Sequence, residues 1–420
     1  MELLRHGRPR VVITGMGAVT ALGNAKELWD GLVAGKSGIR HVETIPIEHV
    51  PVKYGGEVRG FDPLKYIDHK EARRMGRVSQ FAVAAATEAV ADAGLSPAQI
   101  EEEGERCGTV IGTALGPHEM AEGATFKYKT GGFRRPNPMG LIQSLPNMPS
   151  HYVSRFMRTF GPLNSPVNAC ASGTQSVGEA ADYIRNGRAD LILAGGMEAI
   201  FQDYTLAGFE AMDALVTGHE DSPETASRPF DKNRSGFVLS EGGAIFVLES
   251  LQHALKRGAR IYAEVLGHAS ASDAYHVAAL DPEGKGAFRS MKWAVADAKL
   301  ELDEIGYINA HGSSTPTNDI METLAIKRLF GEQAYNIPVS STKSMMGHAL
   351  GGSGAIELIA CVRSLVDQVL HPTINYDTPD PDCDLDYVPN VARAVKGLRY
   401  VLSNSFGLGG QNASIVVGAV

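Results

Sequence analysis

The chain has 420 residues, 44% hydrophobic and 21% charged, an ordinary globular composition with enough apolar surface for two or three domain-sized units. A formal net charge of −9 argues against a broad nucleic-acid-binding face, and no apolar run approaches the roughly 18 residues of a membrane span. The four cysteines, Cys107, Cys170, Cys361 and Cys383, form no CxxC pair and no metal-ligand spacing, and no secretory core follows the short basic start, so a cytoplasmic protein is expected.

In chain order, Arg10–Gly17 reads as a β-branched strand running into a glycine turn. A dinucleotide fingerprint fails there because Thr20 stands where the third glycine of GxGxxG belongs. Ser79–Ala93 has the pattern of an Ala-rich helix closed by Gly94, and Cys107–Gly112 that of a strand. Ser165-Pro166-Val167-Asn168-Ala169-Cys170 is extended, and Val177, Ala180, Ala181 and Ile184 then recur at helical spacing up to Gly187. Strands follow at Leu191–Ala194 and Ala244–Leu248, with a helix over Leu251–Arg257. This alternation is that of an α/β fold.

The second half restates the first. "SPVNACASGTQSVGEAADYI" and "IPVSSTKSMMGHALGGSGAIELIACV" both give Pro-Val, a polar turn, glycines and a helix, which predicts a duplicated α/β unit joined around Ser250–Ile261. The second helix, Ser353–Leu365, is apolar on nearly every face, as a central buried helix should be.

Cys170 lies where a strand-like stretch meets a helix N-terminus, and unpaired backbone N–H groups there favour thiolate over thiol. His311 and His348 occupy glycine-flanked turns after the strand-like Gly306-Tyr307-Ile308 and Pro338-Val339-Ser340-Ser341. Strand ends are where α/β sheets bind ligands. A lone Cys or His is more often structural, but one thiol and two imidazoles at three strand ends point to nucleophilic and general-base chemistry.

The blocks "NACASG", "NAHGSSTPTND", "SSTKSMMGHALGGSG" and "SNSFGLGGQNAS", in that order, resemble the signatures of the β-ketoacyl-(acyl carrier protein) synthases, type II elongating branch. The resemblance implies a thiolase-like fold, two related halves as five layers α-β-α-β-α, with residues 1–256 carrying the nucleophile and 257–420 the histidines. It implies a homodimer, acyl carrier protein as partner and no cofactor. Cys170 would accept an acyl chain, and malonyl carrier protein would lose CO₂ and attack the Cys170 thioester. His311 and His348 would stabilise the enolate, with Lys343 and Glu357 organising the His348 loop and Phe406 supporting it.

The backbone N–H groups of Cys170 and Leu408 would form the oxyanion hole, and Leu115 and Leu408 would line the acyl pocket. No catalytic metal is implied, although Asn309, Glu357, Ser403 and Asn404 match positions that hold a structural cation in relatives. Lys70, Arg73, Arg74, Arg134 and Arg135 match docking positions for the acidic carrier. Two departures stand out: Leu408 replaces the usual gating Phe, and Asp213 replaces a frequent Arg. A non-catalytic chain-length partner, an acyl-thioester hydrolase and a specialised lipid or polyketide ketosynthase remain alternatives on the same fold.

Overall fold

The computed structural model describes residues 2–420 except 46–49, 51 and 135. Ten strands form the main sheet: β1 Val11–Thr20, β2 Cys107–Gly112, β3 Leu163–Asn164, β4 Leu191–Glu198, β5 Gly242–Ser250, β6 Ala263–Ser272, β7 Tyr307–Asn309, β8 Val339–Ser340, β9 Tyr400–Gly407 and β10 Gln411–Gly418. Six helices build the layers: α1 Arg77–Asp92, α2 Met148–Met157, α3 Ser172–Arg185, α4 Lys285–Ala298, α5 Pro316–Phe330 and α6 Ser353–Asp367.

Strand order carries the duplication. Outward from the centre, the first half runs β1-β5-β4-β2-β3 and the second β6-β10-β9-β7-β8. In each half the first two pairings are antiparallel and the last two parallel. The halves meet where Val11–Ile13 pairs with Val265–Ala263, after the short helix Leu251–Lys256 of the expected join.

Side-chain alternation along the strands separates the layers. Ile192, Ala194, Phe246 and Leu248 share a core with α3 and α6, while Leu191, Leu193, Ile245 and Val247 pack toward α1 and α2. Tyr307, Val401 and Ile415 face the same central helices, and Ile308, Leu402 and Val416 face α4 and α5. The order is therefore α1/α2, sheet, α3/α6, sheet, α4/α5: the duplicated five-layer α-β-α-β-α fold that the motifs imply.

Most expected elements recur within a few residues, but the first corrects the sequence reading. Gly15 and Gly17 are not in a turn, since β1 continues to Thr20. A Cβ at either position would stand 2.3 Å from Ala89 O or 2.1 Å from Ala85 O, so these glycines let α1 press its backbone on the strand. Among the described residues no helix is long and apolar enough to cross a membrane.

Candidate active site

Three turns at one end of the layers converge. Ala169–Ala171 forms a single 3₁₀ turn before α3, and Ala169 adopts a left-handed φ of 47° that lifts Cys170 into the turn. The topological counterpart, Leu350–Gly352, precedes α6, and Leu350 is likewise left-handed at 40°. Glycines let the two turns meet: a Cβ on Gly173 would stand 2.8 Å from Gly351 O. The third turn, after β7, carries His311 and ends at Thr315, whose side chain caps α5 at Asn318 N with Pro316 next in line.

Cys170, His311 and His348 are each 3% exposed and line one largely apolar cavity with Phe237, Leu350, Phe406 and Leu408. His348 Nε2 lies 3.1 Å from Cys170 Sγ, and its Nδ1 lies 2.9 Å from Ser353 Oγ. A hydroxyl can accept from Nδ1–H or donate to Nδ1, so Ser353 holds this ring in either tautomer. The His311 and His348 rings are edge to face at 5.1 Å, and the Phe406 ring is 5.9 Å from His311.

Lys343 and Glu357 are both 1% exposed and form a buried ion pair, not a surface one. Lys343 Nζ also donates to His311 O at 2.6 Å and lies 3.4 Å from His311 Nδ1. An ammonium only donates, so Nδ1 accepts and the His311 proton sits on Nε2, toward the cavity. Burial, reinforced by the Lys343 charge, holds both histidines well below the usual imidazole range, and His348 adds to the effect on His311. Both rings are thus neutral near pH 7. Burial likewise raises the Glu357 carboxyl, and Lys343 opposes it.

The thiol corrects an expectation. Helix-end geometry predicted thiolate, but burial pushes Cys170 up to about 11, against the N–H groups of Leu408 and Cys170 and the charge of Lys343. A neighbour must therefore take the proton, and His348 Nε2 is in reach.

Leu115 does not line this cavity and is 39% exposed, because its N–H is turned inward onto Glu198. Lys70, Arg73, Arg74 and Arg134 are exposed, as is Asp213, while Arg135 lies outside the described residues. Asn309 Oδ1, Glu357 Oε2 and Ser403 Oγ are buried without partners, and Asn309 and Ser403 are opposite in register. The Asn404 side chain, by contrast, is engaged: Nδ2 with Glu322 and Oδ1 with Ser414.

Sequence reasoning missed Glu322 and Ser353. Glu322, on α5, accepts from His311 N at 2.9 Å and Gly312 N at 2.8 Å and fixes the His311 turn. Its only sequence signal is a carboxylate in an otherwise buried helical stripe. Ser353 sits inside the quoted glycine block but carries no mark of its own.

Two family models match: "Beta-ketoacyl synthase, N-terminal domain" over residues 8–254 and "Beta-ketoacyl synthase, C-terminal domain" over 262–377. The chain is 44% identical over 409 residues to "3-oxoacyl-[acyl-carrier-protein] synthase 2" of Synechocystis sp., covering 97% of each chain. It is 45% identical over 408 residues to the protein of that name from Staphylococcus aureus (strain COL), again over 97% of each. One chain of a solved complex, a type II polyketide acyl-carrier protein with its ketosynthase bound to the hexaketide, matches at 36% identity and TM-score 0.90, covering 98% of this chain and 100% of that one.

Proposed function

We propose, from a chain that belongs to the β-ketoacyl synthase family and is a 3-oxoacyl-(acyl carrier protein) synthase of fatty acid biosynthesis, that Cys170 is the nucleophile and that His311 and His348 serve the malonyl half-reaction. Sγ attacks the acyl thioester, the Sγ–acyl bond forms, and the carrier thiolate leaves with the proton relayed by His348 Nε2. In the malonyl thioester the bond to the carboxylate breaks as CO₂ departs, and the electron pair moves into an enolate. The enolate oxygen accepts an N–H bond from Nε2 of His311 and another from Nε2 of His348, whose ring takes the Nε2–H tautomer for this step with Ser353 Oγ donating to Nδ1. Its carbon then attacks the acyl-Cys170 carbonyl. The tetrahedral oxyanion lies against the N–H groups of Cys170 and Leu408, and its collapse frees a 3-oxoacyl chain two carbons longer and expels the Cys170 thiolate, which takes a proton from solvent to restore the thiol.

The observation that carries this reading is one buried cavity shared by a thiol and two imidazoles, with one imidazole 3.1 Å from the sulfur. Lys343 ties the His311 turn to Glu357 on α6, and Phe406 walls the cavity beside His311. Leu408, smaller than an aromatic gate, leaves the cavity mouth more open. Leu115, outside this cavity, is assigned to the acyl channel from the resemblance, and its neighbour Ala114 packs against the Cys170 cluster.

Residues 1–256 form the nucleophile half and 257–420 the histidine half, a division supported by the family-model limits of 254 and 262. A second copy of the chain covers the edge strand β3, a reading supported by Phe126, Leu141, Ile142, Leu145, Phe160 and Leu163, all exposed large hydrophobics. The carrier docks on Lys70, Arg73, Arg74 and Arg134, with Arg135 assigned there from sequence alone. Asn309, Glu357 and Ser403 present oxygen to a hard cation, which would offset the unpaired Glu357 oxygen. The protein works in the cytoplasm.

The test is reconstitution with acyl and malonyl carrier proteins: the wild type yields 3-oxoacyl carrier protein, and Cys170→Ala yields none. Elongation by the alanine variant overturns the assignment. Free acid in place of elongated product makes the protein a hydrolase.

A further inference from the structure

Glu198 ends β4, is wholly buried, and has no place in the reaction above. Its carboxylate accepts five hydrogen bonds. Oε1 takes Thr113 Oγ1 at 2.8 Å, Gly116 N at 3.1 Å and Leu115 N at 3.3 Å; Oε2 takes Ala114 N at 2.6 Å and Gly351 N at 3.2 Å. Four of these donors are backbone N–H groups, which cannot turn round to accept. Burial pushes the carboxyl up to about 7, against the hydrogen bonds from Ala114, Thr113, Leu115 and Gly116.

The two segments it ties flank Cys170. Ala114 and Leu350 belong to the apolar cluster that holds the nucleophile, and Leu350 also lines the reactive cavity. The left-handed Leu350 lies next to Gly351, and a Cβ on Gly351 would stand 2.8 Å from Glu198 Oε2. Glu198 is thus the side chain that hydrogen-bonds the Thr113–Gly116 loop to the turn after His348, where Gly351 also packs on the backbone of Thr113 and Ala114.

We infer that Glu198 is a positioning residue that sets acyl-chain selectivity by pinning the Thr113–Gly116 loop to the Leu350–Gly352 turn. The inference rests on the reading of Cys170 as the acyl-bearing residue. Without the carboxylate, at least two backbone N–H groups face an amide N–H₂, and the two walls separate. The acyl channel then discriminates chain lengths poorly, while the thiol stays in place.

The experiment measures kcat/KM of the full chain over a series of acyl carrier proteins, together with iodoacetamide labelling of Cys170. In Glu198→Gln the ratio between the best and worst chain length narrows by about fivefold or more, labelling stays within about twofold of wild type, and KM for malonyl carrier is unchanged. Glu198→Asp, which keeps the charge but withdraws it by one methylene, falls between the two. A folded Glu198→Gln protein with the wild-type selectivity ratio overturns the inference, because a merely stabilising carboxylate would lower yield or Tm without altering that ratio. Should the glutamine variant not fold, Thr113→Val decides: it removes the hydroxyl that donates to Glu198 and accepts from Gly116 N, and leaves the backbone donors to Glu198 in place; a narrowed ratio supports the inference while an unchanged one overturns it. A wild-type chain that forms no 3-oxoacyl product overturns the Cys170 assignment and this inference with it.

Discussion

The turn before α3 and the turn before α6 occupy the same place in the two halves and do opposite electrostatic work. The first presents an uncharged thiol, with Glu198 the buried carboxylate behind it. The second is surrounded by His348, Lys343 and Glu357, with His311 on the neighbouring turn and Glu322 of α5 bonded to that turn, all buried. One topology thus supplies a buried thiol in one copy and a buried network of ionisable and hydrogen-bonding groups in the other. The difference indicates that the site's reactivity depends on how the second half handles charge, since burial alone holds Cys170 protonated.

The largest break in that comparison is Lys343→Ala. It leaves Glu357 buried and unpaired, and losing one partner of a buried ion pair costs about 3–5 kcal/mol. Chemical denaturation should read that loss along with collapsed elongation, whereas a loss under about 1 kcal/mol would class the pair with surface bridges. Next come His311→Ala and His348→Ala. Each removes an enolate donor and should lower the rate of malonyl decarboxylation by about 10²–10³-fold, read as CO₂ release. A variant that still decarboxylates at the wild-type rate takes that imidazole out of the proposal.

A pH series sharpens the contrast between the halves. The folded-state pKa of Cys170 is raised, so the thiolate fraction grows throughout the range below about 11. Iodoacetamide labelling should therefore rise about tenfold per pH unit from 7 to 10. A plateau below pH 9 would mean that the converging N–H groups outweigh burial. The smallest effect belongs to the surface: Arg73→Glu with Arg74→Glu should raise KM for carrier protein several-fold at low salt, and the effect should shrink at high salt as charges are screened. An increase independent of salt would remove this patch from the docking surface.

The parts legible in the sequence were those whose information is local. Cys170, His311 and His348 sit in turns whose glycines and flanking periodicity mark them within a few residues, and the duplicated Pro-Val–turn–helix pattern announces the two halves. The parts that were not legible depend on partners fixed by topology. Glu198 meets Gly351 across 153 positions, so nothing near either residue reveals the contact. Glu322 and Ser353 act through atoms that only folding brings close. Burial is a property of the tertiary structure, which is why the helix-end argument pointed to a thiolate where burial favours the thiol. Gly15 and Gly17 looked like a turn because close strand–helix packing and turning both call for a missing Cβ.

The most direct test of the central claim, a thiol that takes the acyl chain beside imidazoles that serve the malonyl group, is intact mass of His311→Ala after acyl carrier protein and then malonyl carrier protein are added. The account predicts an acyl adduct on Cys170 that forms as in the wild type and then persists. Failure to form the adduct, or its conversion to 3-oxoacyl product at the wild-type rate, would contradict it.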